Sequence, residues 1–465
     1  MVGRSRSGAR LTVLHPRRGA AVVARDSRLH GRLVLRRYPG ELVMLVLVGL
    51  SMLTVLYPGN TQDTTRLALT ESVVEQGSLK VDRYHALIAD RAYRDGHWYS
   101  DKAPGMSFLA VPTVALFDLL DVARGKATSF PALLGGAQLW ALRVLTSGLG
   151  FLLATLLLGR VAEGLRPGYG APVAVVFALG TIAGPLAGIM MEHDVSAMLG
   201  FASFVAAARC RRAVILAGVL AGLAVLFDYS CALLAAIIGL YVLVVWGRRS
   251  LLRFATGVIP AALLLGAYDQ AAFGSPFHVS YRYVANQFTD EQRRGFFGVG
   301  IPSAHGFWLA LCGERGLLVV SPVLAAAAVG LAVMARRGLA PEAAVCLAAA
   351  VLFLIVDAGY FDPYGGSSPG PRFFTPGLPF LAVGFADAFR RWPFWSGLLA
   401  LLSIVAVSLD TLTWEGIATI HLQLLPMTIW SLLGAPRSVG VALELAAVAS
   451  TTALAARRLL RARHT

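Results

Sequence analysis

Apolar runs recur along this chain at a length that suits a bilayer, and the turns between them alternate in charge. A helix needs about 20 residues to cross the hydrocarbon. Runs near that length occupy 41–57, 139–158, 171–190, 195–208, 213–227, 231–246, 254–272, 317–335, 341–360, 373–389, 394–412 and 439–456. In lipid each segment must satisfy its own backbone polar groups, so runs of this kind are helices. The expected fold class is all-α: a polytopic membrane protein of about twelve transmembrane helices. Only 14% of the residues are charged, where a soluble domain carries about 25%.

The formal charge of +15 would suggest nucleic acid in a soluble protein. Here the arginines sit in short clusters between apolar runs, so topology explains them and no nucleic-acid partner is expected. With the Arg-rich N-terminus inside, the cytoplasmic turns become 160–166, 209–212, 248–253, 336–337, 390–391 and the tail 457–463, all basic. The opposite turns, 192–194, 228–229, 273–315 and 361–372, are acidic, aromatic or rich in Gly and Pro. Both termini are thus expected in the cytoplasm, with residues 41–460 as a single membrane domain of the cytoplasmic membrane. Residues 1–40 hold ten arginines and no apolar signal region. They read as a disordered cytoplasmic tail, or as sequence upstream of the true start. Two apolar segments break the parity, 106–120 and 416–434, and both are expected to lie at the interface instead of crossing. The four cysteines form no Cys-x-x-Cys pair and read as small apolar fillers.

Function is expected in the first external loop, 58–138, between spans fixed by lipid. Helical spacing from Arg66 to Val74, closed by Gly77, predicts a short interfacial helix that starts just after Gln62. Asp63 at its start serves either as a cap or as a carboxylate held at the membrane surface to orient a hydroxyl or accept its proton. On the second reading, Asp63→Asn lowers activity by about a hundredfold at little cost in stability. Asp101-Lys102-Ala103-Pro104-Gly105 opens a second interfacial helix. Its lysine and free backbone N–H groups make a natural anion site, or the lysine simply reaches the headgroups. Glu192-His193-Asp194 puts three ionisable groups in one short external turn. They read as a capping turn, as acidic site residues, or as ligands of a divalent cation, although three consecutive residues rarely converge on one ion. Arg372 and Arg315 lie on the outer side, where positive-inside bias leaves few arginines. Each suits a phosphate or a lipid headgroup.

Asp63-Thr64-Thr65-Arg66 followed by Asp101-Lys102-Ala103-Pro104 resembles the first-loop signature of the GT-C superfamily of membrane glycosyltransferases. The aminoarabinose-transferase and protein-mannosyltransferase type is nearest. The runs 365–372 and 376–380, and Phe273-Gly274-Ser275-Pro276-Phe277, resemble a poorly characterised bacterial branch. Thr64 stands where the family often has a second acid, and Ala103 replaces the first proline of its Lys-Pro-Pro run. The resemblance implies transfer of a sugar from a polyprenyl-phosphate carrier to an envelope glycan, lipid or protein on the outer face. It implies Asp63 and Asp194 as catalytic carboxylates. Lys102, Arg372 and Arg315 would hold phosphate, and Asp101, Glu192 and His193 would line the substrate site. One outward cavity should then contain Asp63 and Asp194, with Lys102 and Arg372 on its wall. A transporter or flippase of polyprenyl lipids, or an inactive lipid-binding relative, are the alternatives.

Overall fold

The computed structural model describes residues 33–55, 57, 59–123, 137–413 and 438–461. Residues 1–32 of the expected tail (1–40) and the expected second interfacial segment (416–434) lie outside the described residues.

The chain is helical almost throughout, as the apolar runs require. The helices used below are α1 (Glu41–Leu53), α2 (Thr61–Gln76), α3 (Gly105–Ala123), α4 (Ala137–Leu165), α5 (Gly170–Leu179), α6 (His193–Arg209), α7 (Val214–Phe227), α8 (Cys231–Trp246) and α9 (Arg248–Phe273). They are followed by α10 (Ala304–Cys312), α11 (Val323–Met334), α12 (Ala340–Gly359), α13 (Pro393–Thr413) and α14 (Ser438–Arg461). Among the described residues four stretches are long and apolar enough to cross a membrane: Ala137–Leu165, Arg248–Phe273, Val323–Gly359 and Pro393–Thr411. They hold five of the expected spans, because Gly338 (φ 87) breaks the third into α11 and α12. Three expected spans are not continuous helices. The run 317–335 is interrupted at Ser321 and Pro322. The run 171–190 stops being regular at Gly180, and 373–389 splits into a 3-10 turn, Arg372–Gly377, and two short helices, Leu378–Ala382 and Phe385–Arg391. Pro376, Pro379 and Gly384 supply the breaks, by removing backbone donors or side-chain support. Gly218 and Gly257 bring α7 and α9 together backbone to backbone: a Cβ on either would collide with a carbonyl of the other helix.

The first loop is more structured than its sequence suggested. Its two helices are present as α2 and α3. Between them stand a 3-10 turn, Asp82–Leu87, and a hairpin of β1 (Arg91–Arg94) and β2 (His97–Ser100), paired antiparallel with Ala92 opposite Tyr99. Val284, from the segment after α9, adds a bridge to Ala92. This ties the first loop to a loop some two hundred positions later in the chain.

Glu71 faces α3 from α2. It is buried, and its Oε1 has no partner among the described residues. Burial, with Asp118 and Glu75 nearby, raises its carboxyl from the ordinary 4.5 to about 8. A raised carboxyl binds its proton more tightly in the folded state, so its contribution is intact below pH 4.5 and declines as pH rises toward 8. Glu71→Gln is therefore expected to raise the unfolding midpoint more at pH 8 than at pH 5, in detergent melts of both proteins. An advantage that shrinks with rising pH would contradict this.

Candidate active site

Asp63 sits deeper than expected. α2 begins at Thr61, with Asn60 as its cap: the Asn60 side chain accepts from Gln62 and Asp63 N–H, and Asp63 Oδ2 accepts from Asn60 N–H at 3.0 Å. Asp63 is thus the third helical residue of a capping box and fully buried. Arg143 of α4 grips it with Nε on Oδ1 at 3.0 Å and Nη2 on Oδ2 at 2.5 Å, and Met190 N–H adds a bond to Oδ1 at 2.9 Å. Each carboxylate oxygen already accepts two bonds, which fills its ordinary capacity. The expectation of a surface carboxylate is corrected: its neighbours reach the surface and it does not.

Arg66 is buried one turn further along. It donates to Gln62 O at 2.8 Å and to Gln62 Oε1 at 3.0 Å, and it pairs with Glu192. Burial opposes the charge on Glu192, yet the Arg66 guanidinium holds its carboxyl down to about 2. Gln62 Nε2 in turn donates to Asp90 Oδ2 at 2.9 Å, and Lys102 Nζ reaches the same oxygen at 3.2 Å and Asp101 Oδ2 at 3.1 Å. A continuous polar line therefore runs Glu192–Arg66–Gln62–Asp90–Lys102–Asp101. Burial pushes the Asp101 carboxyl up to about 6 despite Lys102 beside it. It works against Lys102 as well, but Asp101 and Asp90 together lift the ammonium above the ordinary lysine value. For Asp90, burial is outweighed by Lys102 and Arg372, which hold the carboxyl below its ordinary value.

These groups border a cavity of about 420 Å³. Lys102, Asp90, Gln62 and Asn60 form one side, Tyr57, Ile189 and Met191 contribute next to it, and Tyr360, Asp362, Gly365 and Arg372 come from the loop after α12. Gln287, Phe288 and Gln292 close it from the segment after α9. Rings step along this wall: Phe288 on Phe361 at 5.8 Å, Phe361 on Tyr360 at 4.4 Å, and Tyr360 on Phe373 at 4.7 Å, with the Arg372 guanidinium 5.3 Å from the Phe373 centroid. Gly365 has φ 70, and a Cβ there would meet Arg372 Nε at 2.6 Å, so the glycine lets the loop pass over the guanidinium.

Of the expected residues, the cavity brings together Lys102 and Arg372. Asp101 lies behind Lys102. Glu192 is turned to Arg66. His193 is buried 3.5 Å from Asp228 and edge-on to Phe373 at 5.7 Å. Asp194 is buried in the first turn of α6 and does not line the cavity, and its Oδ2 has no partner among the described residues. The three consecutive side chains of 192–194 therefore diverge. Among the described residues no three His, Cys, Asp or Glu groups assemble as cation ligands. Arg315 is a brace: Nη1 donates to Ser368 O at 2.9 Å and Gly366 O at 3.1 Å, and the guanidinium lies over Tyr364. Asp90, Arg66 and Arg143 were not singled out from the sequence. Arg143 carried a signal, an arginine inside the run 139–158, where lipid makes a charge costly. Asp90 carried none, because no capping or turn pattern surrounds it.

No protein-family model matches the chain, and no curated protein matches it. Solved structures do match. The chain is similar to ArnT from Cupriavidus metallidurans bound to undecaprenyl phosphate, at 18% identity and a TM-score of 0.51, over 90% of this chain and 76% of that one. It is similar to the same protein in the apo state, at 17% identity and a TM-score of 0.49, over 96% and 76% of the two chains. A third match is the archaeal oligosaccharyltransferase AglB from Archaeoglobus fulgidus, in complex with an inhibitory peptide and a dolichol-phosphate. There the identity is 13% and the TM-score 0.44, over 89% of this chain and 56% of that one. The first match is a likeness of fold. The chain has a GT-C-like fold, as the first-loop motifs implied.

Proposed function

We propose that this GT-C-like chain is a membrane glycosyltransferase that takes a sugar from a polyprenyl-phosphate carrier, with the carrier phosphate held between Lys102 and Arg372. The observation that carries the reading is the meeting of these two cations, from loops far apart in sequence, in one cavity beside Asp90. The ArnT structure that shares this fold is bound to undecaprenyl phosphate, which supports a lipid phosphate as the ligand here. The acceptor is a hydroxyl of an envelope glycan, lipid or protein on the outer face of the membrane.

In the reaction the acceptor oxygen bonds to the anomeric carbon as the bond from that carbon to the phosphate oxygen breaks. The bonding pair leaves with the phosphate, which gains a negative charge that Lys102 and Arg372 offset. The acceptor proton goes to a carboxylate. We assign this role to Asp90 in place of Asp63 or Asp194. Both contacts to the Asp90 carboxylate fall on Oδ2, so among the described residues no donor takes Oδ1. Asp63 has no oxygen left, and Asp194 does not line the cavity. Gln62, held by Arg66, fixes the orientation of Asp90.

Lys102→Gln and Arg372→Gln are each expected to weaken binding of undecaprenyl phosphate to the purified protein by about tenfold or more, and to lower sugar transfer in parallel. Arg372→Lys should recover little, because a point charge does not replace a planar fork of donors. Unchanged affinity in both glutamine variants would overturn the assignment of the phosphate site. Binding without transfer, for any polyprenyl-phosphate sugar supplied, would overturn the enzymatic reading.

A further inference from the structure

A second concave surface lies between α8 and the half of α9 that follows the Arg248 turn. It is a groove of about 450 Å³, walled by Ala236, Gly239 and Leu243 on one helix and Leu251, Ala255 and Val258 on the other. Small residues on both sides keep it open, and its lining is almost wholly apolar. At one end the chain turns at Gly247 (φ 80) into α9. Arg248 lies three residues before Leu251 and seven before Ala255, so it stands on the same face of α9 as the groove wall. Arg248, Arg249 and Arg253 are exposed, as are Arg209, Arg211 and Arg212 of the neighbouring turn between α6 and α7. The two turns are joined: Arg211 Nε donates to Ser250 Oγ at 3.1 Å, and Trp246 Nε1 donates to Ala207 O at 2.8 Å.

At other basic turns three arginines are neutralised by acids, while Arg336, Arg390 and Arg391 have no ion pair among the described residues. Arg160 pairs with Glu41, and Arg166 and Arg337 both pair with buried Asp387. No ion pair involves any of the six arginines of the two joined turns among the described residues, and the sequence has no Asp or Glu from 195 to 227 or from 229 to 268. A dense, uncompensated positive rim at the mouth of an apolar groove is complementary to one kind of molecule, a negatively charged head on hydrocarbon chains. α8 separates the groove's basic end from the loop side of the protein by about 24 Å, from a rise of about 1.5 Å per residue. The molecule is therefore distinct from the carrier proposed for the cavity.

We propose that this groove binds an anionic phospholipid of the leaflet facing the Arg248 turn, with acyl chain against α8 and α9 and phosphate on Arg248 and its neighbours. The test uses the full chain in neutral detergent. Native mass spectrometry and thermal melts are run with phosphatidylglycerol, phosphatidylcholine and undecaprenyl phosphate as separate probes. Phosphatidylglycerol is expected to bind at least tenfold more tightly than phosphatidylcholine. Arg248→Gln/Arg249→Gln should remove that preference, and Ala236→Phe, on the lipid-facing wall, should weaken binding of phosphatidylglycerol. Both variants should bind undecaprenyl phosphate as the parent does, which separates this site from the cavity. Equal binding of the two phospholipids, or a preference kept in both variants, would overturn the proposal. So would displacement of phosphatidylglycerol by undecaprenyl phosphate.

Discussion

Asp90→Asn is expected to lower sugar transfer by about a hundredfold or more, the scale of losing a positioned general base. Binding of undecaprenyl phosphate should persist or tighten, because Lys102 loses one of its two carboxylate partners and has more charge to offer the lipid phosphate. The fold should tolerate the change. An asparagine keeps an oxygen for Gln62 Nε2 and for Lys102, and the side chain stands at the cavity wall, not in the packed interior. The split between kept binding and lost turnover is the signature to measure, by single-turnover transfer beside equilibrium binding. Near-normal transfer by Asp90→Asn would remove Asp90 from the chemistry. Parallel loss of binding and turnover would make it a carrier-site residue only.

The sequence made the architecture legible for a physical reason. Lipid forces each apolar run into a helix, and the rule acts on composition, which a sequence displays directly. The first-loop helices 61–76 and 105–123 were legible too, because spacing, Gly77 and the Pro104-Gly105 turn are local signals. The cavity was half legible. Lys102 could be picked out because it stands beside free N–H groups at a predicted helix start, and Arg372 because an arginine is unusual on the side expected to face outward. Their carboxylate partner could not, since Asp90 acquires its role from Gln62, Lys102 and Arg372, and only the folded chain puts these side by side. Asp63 shows the opposite failure. Its motif suggested a surface carboxylate, yet motif and exposure are separate matters. The Arg143 that buries it lies eighty positions later in the chain. The turn 192–194 misled for a related reason: three ionisable residues in a row suggest one site, but successive residues at a helix start point in different directions, and these meet Arg66, Asp228 and no partner.

Asp63→Asn now carries an expectation opposite to the one its sequence position suggested. Asp63 and Arg143 are both buried, and the carboxylate also holds Asn60 and Met190 N–H. The amide replaces one acceptor oxygen with a donor that faces donors. It also leaves the guanidinium without its counter-charge. Breaking a buried pair in this way costs about 3–5 kcal/mol, whereas replacing both partners by apolar groups of similar volume is often neutral. Asp63→Asn and Arg143→Met should therefore each lower the unfolding midpoint sharply in detergent melts. Asp63→Leu/Arg143→Met should recover much of the loss, although the freed Met190 and Asn60 N–H groups keep it short of the parent. The pair joins α2 to α4 and, through Met190, to the turn before α6. Its loss should loosen Ile189, Met191 and Asn60 on the cavity wall, and lower transfer through disorder. The rescue distinguishes the two roles. If Asp63 is part of the frame, transfer returns with stability in the double variant. If Asp63 takes the acceptor proton, the double variant is stable and inert, and Asp63→Asn melts as the parent does while transfer is lost.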